Sequence, residues 1–259
     1  METSFKILNA SSSCPYNECD GSGISLVVNE ATRETKGRYC RCREERIYNN
    51  RLSFANIPSE FTSLTINSFN TNLYKKQESI NTAAAAKKMT VNYIRQFEKF
   101  QELGKGLYYY SDTKGSGKTR LAVSLGNVLL KHLKKQVKFI TCSDLLKEIK
   151  NTYNQDSQYT ESQLIESLNQ VDILIIDDIG VEKLTSWVNE MLFSIFDNRM
   201  KYKKITIFTS NCIIEDLEHD ERIKSRLTKM CVPIKMPEED IRKYLAIDEN
   251  RELQDLLLR

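Results

Sequence analysis

From Gly106 onward, short apolar runs alternate with stretches in which apolar residues recur every three to four positions. The runs are Leu107–Tyr110, Val137–Thr141, Ile173–Asp177, Ile205–Thr209 and Cys231–Met236, most of them rich in β-branched or aromatic types. Strands covered on both faces have this length and character. Pro233 lacks an N–H and puts the last run at a sheet edge. Between the runs lie helical patterns at Lys118–Lys134, Ser143–Tyr153, Ser162–Asn169, Leu184–Lys201 and Asp220–Lys229. Ser143 or Asp144 is placed to cap the second of these. The alternation predicts an α/β fold, a parallel sheet flanked by helices.

Upstream the pattern changes. A helix is predicted over Ser79–Leu103, where Ala83–Ala86 favours helix and Met89, Tyr93, Phe97 and Phe100 form one apolar face. Residues 1–48 are rich in Cys, Ser, Gly and Arg and show little helical periodicity. The expected organisation is a module over 1–48, a main domain over 49–246 and a charged, loosely attached helical tail over 247–259.

Composition narrows the class. Of 259 residues, 40% are hydrophobic, enough for a packed core. Lys and Arg number 38 against 35 Asp and Glu, so the net charge of +3 does not announce a nucleic-acid binder. No run is long and apolar enough for a membrane span, and Met1–Ser13 lacks the pattern of a secretory signal. A cytoplasmic protein without membrane contact is expected.

Candidate chemistry begins after the first run. Asp112-Thr113-Lys114-Gly115-Ser116-Gly117-Lys118-Thr119 matches the phosphate-loop pattern G-x-x-x-x-G-K-[ST], with Asp112 in place of the first Gly. Gly115 and Gly117 allow the backbone to curl so that its N–H groups face phosphate oxygens. The helix starting at Lys118 adds its positive N-terminal end. Lys118 is expected on the β- and γ-phosphates of ATP, and the Thr119 hydroxyl on Mg²⁺. Asp112 either takes a positive φ or shifts the start of the loop.

A carboxylate near the metal is expected at the end of a neighbouring strand. Asp177 fills that place, directly or through water, and Asp178 acts as general base on the attacking water. Asn211, after the run Ile205–Thr209, is placed to contact the γ-phosphate or the lytic water. Cys14, Cys19, Cys40 and Cys42 supply four thiolates to a segment too polar to build a core, a donor set for tetrahedral Zn²⁺, with unmetallated thiols as the alternative. Cys142, Cys212 and Cys231 read as small core residues, and His132 and His219 as unlikely zinc ligands.

These motifs, in this order, resemble the AAA+ ATPases, and more narrowly the DnaC/DnaI-type bacterial helicase loaders and their phage homologues. The transposition helper IstB belongs to the same broader group. Ile57-Pro58, Phe61 and Leu64–Phe69 are similar to the segment before the nucleotide site, and Ile175–Gly180 and Arg222–Leu227 to later segments. The resemblance implies a P-loop AAA+ sheet without a full C-terminal lid, since little chain follows Arg242. It implies weak, assembly-dependent ATP hydrolysis, in which Arg226, or Arg222 one helical turn earlier, enters the site of a neighbouring subunit. Arg242 would sense nucleotide in cis. The cysteine module would contact a replicative hexameric helicase, and the ATP site would mediate self-association. Single-stranded DNA binding is also implied. Lys131/Lys134/Lys135, Lys201/Lys203/Lys204 and Lys224/Arg226/Lys229 are candidate contacts or merely solvated faces, with Tyr153 and Tyr159 as candidate stacking rings. The function implied is ATP-dependent loading of the helicase onto single-stranded DNA; the alternatives are an IstB-like transposition helper or a non-hydrolysing adaptor.

Overall fold

The computed structural model describes residues 5–154 and 160–257. The chain divides into two compact units, Met1–Phe54 and Ala55–Arg259.

In the first unit β1 (Phe5–Ile7), β2 (Ile24–Asn29) and β3 (Thr35–Tyr39) form a three-stranded antiparallel sheet, ordered β1-β2-β3. Its apolar positions are few, and Ile24 and Leu26 are exposed. Helix α1 (Cys42–Ala55) follows, beginning on a cysteine and crossing residue 48 without a break.

In the second unit the helix predicted over Ser79–Leu103 is two helices, α2 (Gln77–Arg95) and α3 (Phe97–Leu103), separated at Gln96. The buried face of α2 is Ser79, Ala83, Ala86, Thr90 and Tyr93, and Met89 lies exposed. The hydroxyl of Tyr93 donates to Lys105 O, and Thr90 bonds Tyr109, so these side chains set the helix rotation.

All five predicted runs are strands, and all pair in parallel: β4 (Gly106–Tyr110), β5 (Val137–Thr141), β6 (Ile173–Ile179), β7 (Ile205–Ser210) and β8 (Cys231–Lys235). The order is β5-β6-β7-β4-β8, with Pro233 on an edge strand as its missing N–H demands. The helices between them are α4 (Lys118–Lys131), α5 (Cys142–Asn151), α6 (Glu161–Gln170), α7 (Ser186–Lys201) and α8 (Glu221–Met230). The cap of α5 is Thr141, not Ser143 or Asp144: its Oγ1 accepts from Asp144 N–H and donates to the Asp144 carboxylate.

Residues alternate along β6 between two helical layers. Leu174 and Ile176 join a core with Leu145, Ile149, Leu192, Phe196, Ile223 and Leu227 of α5, α7 and α8. Ile175 faces α4, where a Cβ on Gly126 would come 2.6 Å from its Cδ1, so only glycine lets that helix lie so close. After β8 comes α9 (Ile241–Leu257), which starts six residues before the expected tail because Asp240 Oδ1 accepts from the Lys243 N–H. The carboxyl ends of β4, β6 and β7 and the start of α4 open on one side of the sheet, where ligands bind in open α/β folds.

Candidate nucleotide site and cysteine cluster

The loop between β4 and α4 holds the expected curl. Gly115 and Gly117 have φ of 73° and 91°, in the left-handed region that favours glycine. Asp112 is not among the described residues with positive φ, so this loop begins in ordinary backbone and needs no glycine there. Lys118 is buried, and its Nζ donates to Ser111 O at 3.1 Å and Thr113 O at 2.9 Å. Burial lowers its pKa, against the raising influence of Asp178 and Asp177.

Two distant segments fasten this loop. From one side the Tyr74 hydroxyl donates to Ser116 O at 2.8 Å, and Phe69 and Tyr74 close against Gly117. From the other, Ile241 N–H donates to Gly115 O at 3.2 Å, and the Asp240 carboxylate would lie 2.0 Å from a Cβ on Gly115. Glu239 ties the two segments together by accepting from the N–H groups of Lys75 and Lys76 at 2.8 and 3.1 Å. On the far flank Asn127 of α4 donates to Phe61 O and Leu64 O, both at 2.9 Å, which holds the Phe61 turn beside the same helix.

The acidic residues sit one strand further away than expected. β7 lies between β4 and β6, so the Asp177 strand is not the direct neighbour of the loop strand. Thr209 of β7 bridges that gap: its hydroxyl donates to Asp177 Oδ1 at 2.6 Å and accepts from the Asp178 N–H at 2.9 Å. Asp178 takes φ 56°, and the β6–β7 register breaks between Ile176 and Ile179. The Asp177 carboxyl is raised by burial and by Asp178, while Thr209, Thr119 and Lys118 work against the rise. A cleft of about 680 Å³ is lined by Lys114, Gly115, Ser116, Gly117, Lys118, Thr119, Asp178, Asn211 and Arg242, together with Phe61 and Leu73. Thr113 lies at the loop's base, where its carbonyl takes the Lys118 ammonium. An anion-binding curl, a buried lysine, a hydroxyl beside a carboxylate and a second carboxylate on the cleft wall together suit a metal-bound nucleoside triphosphate.

Residues 37–235 match the family described as IstB-like ATP binding protein. The chain belongs to this family. It is similar to the replicative helicase loader DnaC of Buchnera aphidicola subsp. Baizongia pistaciae, with 35% identity over 104 residues, 40% of this chain and 42% of that protein. Similarity to the replicative helicase loader DnaI of Bacillus subtilis is 29% over 158 residues, 54% of this chain and 48% of that protein. This chain spans about half the length of the curated relatives it matches. The crystal structure of the DnaC helicase loader shares the fold, with a TM-score of 0.59, 20% identity, and coverage of 69% of this chain and 99% of that one. The family is described by ATP binding, which implies ATP, with its Mg²⁺, as the ligand.

The remaining candidate residues of this IstB-like chain fall into three groups. Arg222 and Arg226 lie on α8, away from the cleft lining: Arg226 pairs with Asp197 at 3.1 Å, Arg222 with Asp220 at 2.8 Å, and both stack over Phe193. Of the basic clusters, Lys201 pairs with Asp197, Lys204 with Asp172 and Lys224 with Glu221, and Lys135 lies over the Phe97 ring. Tyr153 is exposed, accepts from Trp187 Nε1 at 3.1 Å and bonds Glu161; Tyr159 lies outside the described residues. No helix among the described residues is long and apolar enough to cross a membrane.

The third group is the cysteines. The sulfurs of Cys14, Cys19, Cys40 and Cys42 all lie within 4.8 Å of one another and are buried, with Cys14–Cys40 at 3.6 Å and Cys19–Cys42 at 3.5 Å. Tetrahedral zinc with bonds of about 2.3 Å sets its sulfurs roughly 3.8 Å apart, so the donor set fits. Against burial, which raises it, backbone groups of Glu18 and Tyr16 hold the Cys14 thiol down at about 6. The Gly21 N–H also donates to Cys19 Sγ at 3.3 Å. Cys142 and Cys231 are buried as core residues, while Cys212 is only half-buried.

Sequence patterns assigned no role to Thr209, Tyr74, Glu239, Glu182 or Arg199. Thr209 ends the run Ile205–Thr209 beside Ser210-Asn211, which is the one sequence signal it carries. Arg199 is wholly buried and donates to four groups, Leu168 O, Val171 O, Ile205 O and Thr206 Oγ1, which pins the α6–β6 turn to β7.

Proposed function

We propose that this chain is an ATP-dependent loader of a replicative hexameric DNA helicase, acting on single-stranded DNA in the cytoplasm. The observation that carries it is the assembly of Lys118, Thr119, Asp178, Asn211 and Arg242 on one cleft, with Asp177 behind Thr119, in a chain whose curated relatives are named replicative helicase loaders. The domains read as a cysteine module up to about residue 48, an ATPase up to about residue 246 and a terminal tail.

In this reading Thr113 to Lys118 wrap the triphosphate, and Thr119 and Asp177 would hold Mg²⁺, which would supply positive charge to the phosphates. Asp178 accepts a proton from water as the water oxygen bonds to the γ-phosphorus. The bond to the bridging oxygen breaks and leaves ADP and phosphate. Asn211 orients that water, and Arg242 reads the nucleotide from the first turn of α9. Arg226, with Arg222 behind it, stabilises the γ-phosphate charge in a second copy's site. Turnover is therefore weak in the single chain and rises on self-association. Cys14, Cys19, Cys40 and Cys42 hold Zn²⁺, whose binding energy orders a unit with little apolar core and shapes the helicase contact.

The test is steady-state turnover of the wild type against Asp178→Asn, with capture of a hexameric helicase by the full chain. Turnover abolished by the substitution and retention of the helicase support the reading. Equal background rates would sink the enzyme, leaving a non-hydrolysing adaptor, and capture of a transposase in place of the helicase would favour an IstB-like transposition role.

A further inference from the structure

Outside the nucleotide cleft, one buried polar contact joins the loop after β6 to the start of α8. His219 Nε2 lies 2.7 Å from Glu182 Oε1, with the two side chains only 1% and 3% exposed. The other Glu182 oxygen accepts from the Gly180 N–H at 3.0 Å, two residues beyond Asp178. Gly180 has φ 95°, and a Cβ there would lie 2.7 Å from Leu217 Cδ2, so the loop also packs directly on the segment leading to His219. Val181, between Gly180 and Glu182, lines the nucleotide cleft.

On the other side, His219 immediately precedes Asp220, the N-cap of α8, whose carboxylate accepts from the Arg222 N–H at 2.7 Å. Among the described residues the ring's hydrogen-bond partner is Glu182, and His219 Nδ1 is buried without one. Glu182 is fixed by the Gly180 N–H and touches the Cys142 thiol at the start of α5. A buried polar pair of this kind resists separation, since moving one member strands the other without a partner. The Glu182–His219 pair is thus a polar tie between the backbone that places Asp178 and the helix that carries Arg222 and Arg226, beside the apolar packing of Gly180 on Leu217.

We propose that the Glu182–His219 pair couples the nucleotide state of the Asp178 loop to the pose of α8, so that a chain presents its arginines to a second copy only when its own cleft holds ATP. This rests on the reading that Arg226 or Arg222 acts in the neighbouring site. Glu182 and His219 are positioning residues; neither lines the cleft.

The experiment is amide hydrogen exchange of Glu221–Met230 in the dilute full chain, with and without Mg²⁺ and a poorly hydrolysed ATP analogue, alongside the analogue's dissociation constant. In the wild type the analogue should slow exchange along α8 by about threefold or more. Glu182→Gln and His219→Gln should each lose most of that response while affinity stays within about twofold of wild type. A wild-type α8 that ignores the analogue overturns the coupling, and so does a full response in both variants. A response lost only in step with affinity also overturns it, since that is what a purely structural role produces. Arg226→Ala separates the two readings: it should keep the α8 response, and normal turnover in that variant would remove the trans-acting arginine without touching the coupling.

Discussion

Thr209 shows how one hydroxyl can set two carboxylates. It holds Asp177 by donating and the Asp178 backbone by accepting, in the place where the strand pairing of β6 and β7 breaks. Thr209→Val is expected to cut turnover by about tenfold to a hundredfold while leaving nucleotide affinity within a few-fold, because it frees the base without touching the phosphate loop. Thr209→Ser, which keeps the hydroxyl, should retain most activity; a comparison of kcat and KM for the pair checks this. Lys118→Ala should weaken ATP binding outright, measurable by titration with a fluorescent analogue, since its ammonium is the charge buried at the phosphate position. The phosphate loop was legible because its chemistry sits on consecutive residues. Thr209 was not, because a threonine ending a strand carries no mark of what lies across the sheet.

At the scale of elements, Arg199 and the cysteine cluster act as staples of opposite kinds. Arg199 on α7 serves three carbonyls from the α6–β6 turn and β7, and burial pushes its guanidinium down to about 9. Arg199→Ala strands those carbonyls and should lower unfolding free energy by about 3 kcal/mol, read from urea denaturation of the second unit. The cysteine cluster draws Cys14, Cys19, Cys40 and Cys42 from loops and the start of α1 around a small sheet. With zinc in that site, a strong chelator should increase amide exchange through residues 24–39 and leave β4–β8 protected; equal protection with and without metal would count against the zinc reading. The five parallel strands were readable as apolar runs because both faces are covered. The β1–β3 sheet was invisible for the converse reason: Thr35–Tyr39 is exposed throughout, and along β2 only Ser25 and Val27 are buried, so no apolar run marks it.

For the whole molecule, the decisive contacts join residues far apart in sequence. Tyr74 reaches Ser116 across 42 residues, and Glu239 reaches Lys75 across 164. No local spacing announces such pairs, and the proposed action of the α8 arginines in a second chain is tested at the same scale. A mixture of Arg226→Ala and Asp178→Asn chains, each inactive alone, should regain part of the wild-type turnover. In a mixed assembly the Asp178→Asn chain, whose phosphate loop still binds ATP, would lend its arginine to a cleft that keeps its base. Failure of any mixing ratio to raise the rate would mean that each chain completes its own site.

The double fastening of the phosphate loop also bears on how this protein is made. Ser116 and Gly117 are gripped by Phe69 and Tyr74, but Gly115 waits for Asp240 and Ile241, and the two grips meet at Glu239. A chain still growing on the ribosome therefore carries an unfinished loop until Asp240 and Ile241 have emerged. Products terminated before Asp240 lack that second grip on Gly115 and are expected to bind nucleotide more weakly than the full chain.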